Sequence, residues 1–297
     1  MRKIRHSIIP LLMIIGIIAC NQKEIGFPAL EIKGMYQLDS LYGLNFDLSG
    51  IAKIEDSVYL VADKEWNKFL YGIAFEDSSF KVTHKKNLNF REKLDLEGID
   101  YCNGTTFLIN ERQGIIYAYT SDDSLSIINA DFDAFNMDPT SWGNIGWEGI
   151  ASDCGNNLLY IVKERDPRNI VVIDTETKHV KDTFNISEKE SNDFSDAKFE
   201  NGHLYVIERN GNFITKINPE SRKVVSKYHF KDVASHSSGK LYGPTEFGMA
   251  EALLLTADEI WIGLDNNGLK VTEFGQKTYG LSGKSPVIIK FKRPKDF

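Results

Sequence analysis

The sequence predicts an all-β fold, a five-bladed β-propeller formed as one domain and closed by an N-terminal strand. Three observations predict it. A unit of about fifty residues recurs five times, each copy holds several β-rich segments bounded by turn residues, and the segment missing from the last copy has its counterpart ahead of the first.

The copies open on Asp47-Leu-Ser49-Gly-Ile-Ala, Asp95-Leu-Glu97-Gly-Ile-Asp, Gly146-Trp-Glu148-Gly-Ile-Ala, Asp193-Phe-Ser195-Asp-Ala-Lys and Gly248-Met-Ala-Glu251-Ala-Leu. Each is followed by an apolar segment ending in an acid, at Asp63, Glu111, Glu164, Glu208 and Asp265. A third segment alternates apolar and polar residues, as in Ile115-Ile-Tyr-Ala-Tyr119 and Phe213-Ile-Thr-Lys-Ile217. A fourth, more polar segment closes four copies, and the stretch from Ala29 to Leu38 supplies it for the fifth. Pairing that stretch with the last copy closes the ring and leaves no long sheet edge open. A six-bladed ring would need a further repeat, which the sequence does not show.

Ahead of the repeats, residues 1–19 read as a lipoprotein signal peptide: Arg2, Lys3 and Arg5, an apolar run from Ile8, and a small residue before Cys20. That run is too short for a spanning helix, which needs ~20 apolar residues. Ile17-Ile18-Ala19-Cys20 has the form of a lipidation site, with Cys20 carrying the acyl chains and residues 20–28 serving as a tether to the domain at 29–297. The expected location is the bacterial cell envelope, held to a membrane through the lipid, with the outer membrane favoured over the inner.

The formal charge is −7, and it becomes −10 once the three basic residues of the leader are removed. No basic stripe offers a surface for nucleic acid, so that partner class is set aside. The domain is expected to be a monomer. Cys102 and Cys154 fall at similar places in neighbouring repeats, which is read as keeping them apart and unpaired. Gly283-Lys284-Ser285 lacks the upstream glycine of a phosphate loop, and the histidines show no metal-ligand spacing. Trp142 and Trp147 flank Glu148 and offer either an aromatic wall for a ligand or packing between blades.

Strand direction gathers the special residues. First strands start, and second strands end, at the same face of the disc. Glu97, Glu148 and Glu251 therefore share a rim with Asp63, Glu111, Glu164, Glu208 and Asp265, forming an acidic mouth. The long connections at about 132–146, 231–248 and 264–286 fall there too. So many carboxylates need compensation. Lys64, Arg112, Arg165 and Arg209 directly follow four of the acids and offer an ion-pair ring passed across blades. The alternative is a hard cation such as Ca²⁺, held by Glu97, Glu148 and Glu251 with carbonyls and water.

The segments Asp95-Leu-Glu-Gly-Ile99, Gly146-Trp-Glu-Gly-Ile-Ala151 with Lys163-Glu164-Arg165, Asp193-Phe-Ser195 and Ala250-Glu251-Ala252 resemble the SdiA-regulated family of bacterial envelope β-propellers, of the calcium-regulated lipoprotein type. That family is distantly like the phytase-like and esterase-like propellers. The resemblance implies an envelope protein associated with calcium handling or response, and brings no established catalytic set. Ala252 in the last copy and Ser195-Asp196 in the fourth depart from the Glu-Gly pattern, which favours a partial cation site over a symmetric ring. The leading functional expectation is a binding or sensing module that takes Ca²⁺ and a small anionic ligand under the 264–286 loop. A metal-dependent phosphoester or ester hydrolase, with Glu97, Glu148 or Glu164 as general base, is the second. An interaction platform for envelope proteins is the third.

Overall fold

The computed structural model describes residues 26–39, 46–63, 68–90, 94–121, 124–266 and 268–297. The leader, Cys20, the first part of the tether and Lys64 lie outside the described residues.

The chain begins with strand β1 (Ile32–Leu38). The first blade follows as β2 (Leu48–Ile54), β3 (Ser57–Ala62), β4 (Phe69–Glu76) and β5 (Ser79–Asn87). The second holds β6 (Leu96–Cys102), β7 (Thr105–Asn110), β8 (Ile115–Thr120) and β9 (Leu125–Ile127). The third holds β10 (Trp147–Asp153), β11 (Leu158–Lys163), β12 (Asn169–Asp174) and β13 (Val180–Phe184). The fourth holds β14 (Ala197–Glu200), β15 (His203–Glu208), β16 (Phe213–Asn218) and β17 (Lys223–His229). The last consists of β18 (Ala250–Leu255), β19 (Glu259–Leu264) and β20 (Val287–Lys292). β1 pairs antiparallel with β20, Met35 opposite Ile289, and so supplies the fourth strand of that blade.

Within each blade the strands are antiparallel neighbours in chain order. The turns use residues that tolerate a left-handed backbone: Asn103-Gly104 (φ 48° and 83°) and Asn201-Gly202 (φ 50° and 75°) close two-residue hairpins at the face away from the mouth. The innermost strands stand beside one another in the order β2, β6, β10, β14, β18 and back to β2, which makes the architecture a closed β-propeller. β1 also meets β5 in a short parallel pairing at Gln37–Ser79 and Leu38–Phe80, so the first and last blades join at their outer strands as well.

The core is divided among the interfaces between blades. Ala52, Val61 and Leu70 of the first blade pack against Ile99, Leu108 and Tyr117 of the second, and Ile109 and Ile116 pack against Ile150, Ile161 and Val171 of the third. Each sheet is covered on both faces, which is why its strands read as nearly continuous apolar runs.

One expectation is overturned. Cys102 and Cys154 form a disulfide, with Cα atoms 5.6 Å apart. Equivalent positions in neighbouring blades diverge only at the periphery. These two sit at the ends of the inner strands β6 and β10, where the blades converge on the axis.

The acidic mouth as candidate functional site

Four of the five inner strands carry a β-bulge at the same place. The register slips between Leu48 and Gly50, Leu96 and Gly98, Trp147 and Gly149, and Ala250 and Ala252. The skipped residues are Ser49, Glu97, Glu148 and Glu251. A bulge re-aims the side chain of the extra residue, and all four line one cavity of about 340 Å³ at the mouth. The glycine that follows three of them allows the inner strands to converge: a Cβ on Gly149 would stand 2.6 Å from the Cα of Asp196, and one on Gly98 would stand 3.0 Å from the carbonyl oxygen of Glu148.

A second tier comes from the ends of the second strands. The backbone N–H groups of Asp63, Glu111, Glu164 and Asp265 donate to the carbonyls of Asp47, Asp95, Gly146 and Met249 at 2.9–3.0 Å, which sets the four acids at one level. All four line the same cavity. So do Asp47 and Asp95, which sequence reasoning missed although both stand two residues before a bulge residue. Asn144 and Phe247 reach the cavity from the long connections.

The fourth blade breaks the pattern. In the other four blades the acid lies four residues after the aromatic residue of the second strand, from Tyr59 to Asp63, Phe107 to Glu111, Tyr160 to Glu164 and Trp261 to Asp265. Four residues after Tyr205 stands Arg209, and Glu208 is one position short. A one-residue difference turns a strand side chain to the other face. Glu208 is accordingly no mouth acid. It is fully buried behind the fourth blade, where it accepts from Arg168 (2.9 Å) and Thr215 (2.6 Å) and pairs with Lys227 (3.2 Å). Burial opposes its charge, but the Thr215 hydroxyl, Lys227 and Arg168 outweigh burial and hold its pKa below the usual carboxylate value.

The arginine that takes the fifth acid's place is a built-in cation. Buried Arg209 donates to Glu251 (2.9 Å) from the last blade, to Asp193 (3.2 Å) from its own, and to Glu164 from the third. Of the four basic residues offered for an ion-pair ring, Arg209 is the one whose described pairs cross blades. Arg112 pairs within its own blade with Asp95 (2.5 Å), and Arg165 pairs with the adjacent Glu164.

Nine carboxylates and three arginines line the cavity. Two trios of carboxylates bring ligand oxygens within 4.8 Å of one another: Asp63, Asp95 and Glu97, and Glu111, Glu148 and Glu164. The trio expected to hold a cation is thus regrouped. Glu97 and Glu148 fall in different clusters, and Glu251 is committed to Arg209. Burial is the first cause pushing Asp95 up to about 6, with Asp63 adding to it and Arg112 opposing. Burial likewise carries Glu111 up to about 7 against the N–H of Gly146, which donates to it at 2.9 Å. Glu97, Glu148 and Glu251 are also raised, by burial before neighbouring charge. One oxygen of Glu164 and one of Glu251, both buried, have no hydrogen-bond partner among the described residues. Among the described lining residues carboxylates outnumber arginines nine to three, and oxygen donors at this density suit a hard divalent cation.

The remaining sequence candidates fall outside the cavity. Trp147 is fully buried and meets Trp142 edge-on at 4.7 Å, so this pair packs the blade. Of the described residues of the 264–286 connection, only Asp265 lines the cavity. Helix α1 (Lys231–Ala234) lies in the preceding connection, and helix α2 (Glu273–Tyr279) in this one; Tyr242 and Val271 link the two segments by an isolated bridge.

Comparison with known proteins agrees with this architecture. The structure is similar to that of Myxococcus xanthus glutaminyl cyclase, with a TM-score of 0.58 and 9% identity over 90% of this chain and 98% of the other. A luciferin-regenerating enzyme (TM-score 0.48, 11% identity, 82% and 77% of the chains) and Staphylococcus aureus virginiamycin B lyase (TM-score 0.44, 12% identity, 83% and 66%) are more distant. At these identities the likeness is one of fold. No curated protein matches the sequence significantly. The SdiA-regulated family model matches residues 34–236, more than half of the chain and four of the five inner strands, and the protein belongs to the SdiA-regulated family.

Proposed function

We propose that this protein is a lipid-anchored β-propeller of the cell envelope that binds Ca²⁺ in its acidic mouth and serves a sensing or binding role in the calcium response. The observation that carries the reading is the pair of three-carboxylate clusters within one cavity, whose described lining residues include nine carboxylates and three arginines. The carboxylate donors are oxygens, and among the described residues no histidine or cysteine lines the cavity, which favours Ca²⁺ over zinc. The basic start, short apolar run and Cys20 support the anchor. A small anionic ligand would meet the cation from the rim, beside Arg112, Arg165 and Phe247.

Titration with Ca²⁺ tests the reading. At a free concentration about a hundred times Kd, stability rises by about 2.7 kcal/mol, which is roughly 5–10 °C in Tm for a chain of this size. Glu148→Gln removes most of that gain. An unchanged Tm between EDTA and millimolar Ca²⁺ sinks the proposal.

The raised carboxylates give a second expected outcome. Because the folded state holds protons on Asp95 and Glu111 more tightly than the unfolded chain does, it binds more protons between the unfolded values near 4 and the folded values of about 6 and 7. In EDTA, these groups make the protein less stable as pH rises through that window. Ca²⁺ competes with the protons, so its stabilising effect is largest above pH 7 and fades towards pH 5. Thermal melts at several pH values, with and without Ca²⁺, check both signs.

The values of about 6 and 7 also favour a second reading, in which Asp95 or Glu111 acts as the general acid or base of a metal-dependent hydrolase. Phosphoester and ester turnover that requires Ca²⁺ and is lost in Glu111→Gln would establish it.

A further inference from the structure

A second cavity, of about 230 Å³, opens between the first and second blades on the face opposite the mouth. Its walls are unlike those of the mouth. Tyr59, Tyr101 and Tyr119 face it together with the hydroxyls of Ser57 and Thr106, and among the described residues its charged lining is one lysine, Lys86, and one glutamate, Glu55. The Lys86 ammonium lies 4.7 Å from the centre of the Tyr119 ring, capping one aromatic wall.

The hydroxyl of Tyr59 is held by a relay behind the pocket. Tyr59 on β3 is opposite Gly72 on β4, which is opposite His84 on β5. A Cβ on Gly72 would fall 2.1 Å from the His84 ring, so the glycine is what lets the imidazole and the phenol meet across the middle strand. The Thr83 hydroxyl donates to the Gly72 carbonyl at 3.1 Å, which leaves its oxygen to accept from Nδ1 of His84 at 3.0 Å. In the neutral imidazole Nε2 then accepts from the Tyr59 hydroxyl, also at 3.0 Å. With its proton directed backwards, the Tyr59 oxygen is an acceptor for whatever enters the pocket.

Among the described lining residues one positive charge faces one negative charge, which gives an ionic ligand no net attraction. Aromatic faces with a fixed acceptor and hydroxyl groups match a molecule that has an apolar C–H face and a hydroxylated edge, since C–H groups carry slight positive charge against the negative face of a ring. The volume lies below the roughly 300–1,000 Å³ of sites for drug-sized ligands, which limits the occupant to about one ring. We propose that this interblade pocket is a binding site for a neutral pyranose sugar, independent of the acidic mouth.

Saturation-transfer NMR with glucose, galactose and N-acetylglucosamine, and with adenosine as an aromatic control, tests the assignment on the whole protein in EDTA and again in Ca²⁺. Saturable binding of at least one sugar is expected, equal in both conditions. Affinity should fall by about tenfold or more in Tyr101→Ala, which removes an aromatic wall. It should also fall in Tyr59→Phe, which keeps the ring and loses the acceptor. The assignment is overturned if none of the sugars saturates, if adenosine binds in their place, or if both variants retain wild-type affinity.

Discussion

Arg209→Met lowers stability by about 3–5 kcal/mol, the cost expected when one partner of a buried ionic network is removed and its counter-charges remain. Methionine fills much of the same volume, so the loss reports charge more than packing. Arg209 neutralises Glu164, Asp193 and Glu251 from three adjacent blades, and its own pKa is driven up: burial opposes the charge, but Glu251 and Glu148 outweigh it. In calorimetry the variant melts on the order of 10 °C below wild type at pH 8 in EDTA. Two conditions bring part of that back. Millimolar Ca²⁺ does so because the released carboxylates gain a new counter-ion. Acid does so because Glu251, already raised by burial against the pull of Arg209, takes up a proton more readily once that arginine is gone. A folded pKa above the unfolded one costs stability as pH rises and costs nothing below both, so the deficit shrinks towards pH 4. Arg112→Met is the control. Arg112 is 63% exposed and pairs only with Asp95 among the hydrogen bonds described, so its loss changes stability by no more than about 1 kcal/mol. Equal melting of Arg209→Met and wild type would show that the mouth tolerates its acids without a counter-ion.

Arg209 also marks where the sequence becomes hard to read. The ring, its inner strands and its closure by the N-terminal segment were legible because they rest on periodicity: apolar runs of strand length, turn residues between them, and a recurring Glu or Ser at the start of each inner strand. Of the twelve charged residues lining the cavity, all but Asp47 and Asp95 were located from the same repeat. Glu208 was misplaced because an acid stands near the right point of the fourth copy. Counting four residues from the aromatic of each second strand would have given Arg209 and left Glu208 out. Asp47 and Asp95 had a signal too, since Asp recurs two residues before the bulge position in Asp47-Leu-Ser49, Asp95-Leu-Glu97 and Asp193-Phe-Ser195. The division of the mouth into two carboxylate clusters carried no such signal. It depends on which carboxylate oxygens come within 4.8 Å of one another across neighbouring blades, a matter of radial distance that a one-dimensional repeat does not encode.

The same limit hid the disulfide, and its removal gives the other large effect. Replacing both Cys102 and Cys154 with serine opens a loop of 52 residues, for which the chain-entropy account gives a loss of about 4 kcal/mol and common experience about 2–4. Tm falls on the order of 10 °C, and thiol labelling of the unfolded wild-type protein leaves these two cysteines unmodified until a reductant is added. The bond ties β6 to β10, the inner strands that present Glu97 and Glu148, but at their far ends. At the mouth those strands are already fixed by close packing: no side chain fits at Gly98, whose Cβ would press on the Glu148 carbonyl. Packing at that level predicts that the serine variant loses stability while keeping the full Ca²⁺-induced gain. If the gain disappears with the bond, the covalent tie at one face sets the carboxylate spacing at the other. A bond of this kind also requires an oxidising compartment to form, so finding the cysteines reduced in protein taken from its native cell would argue against export of the domain.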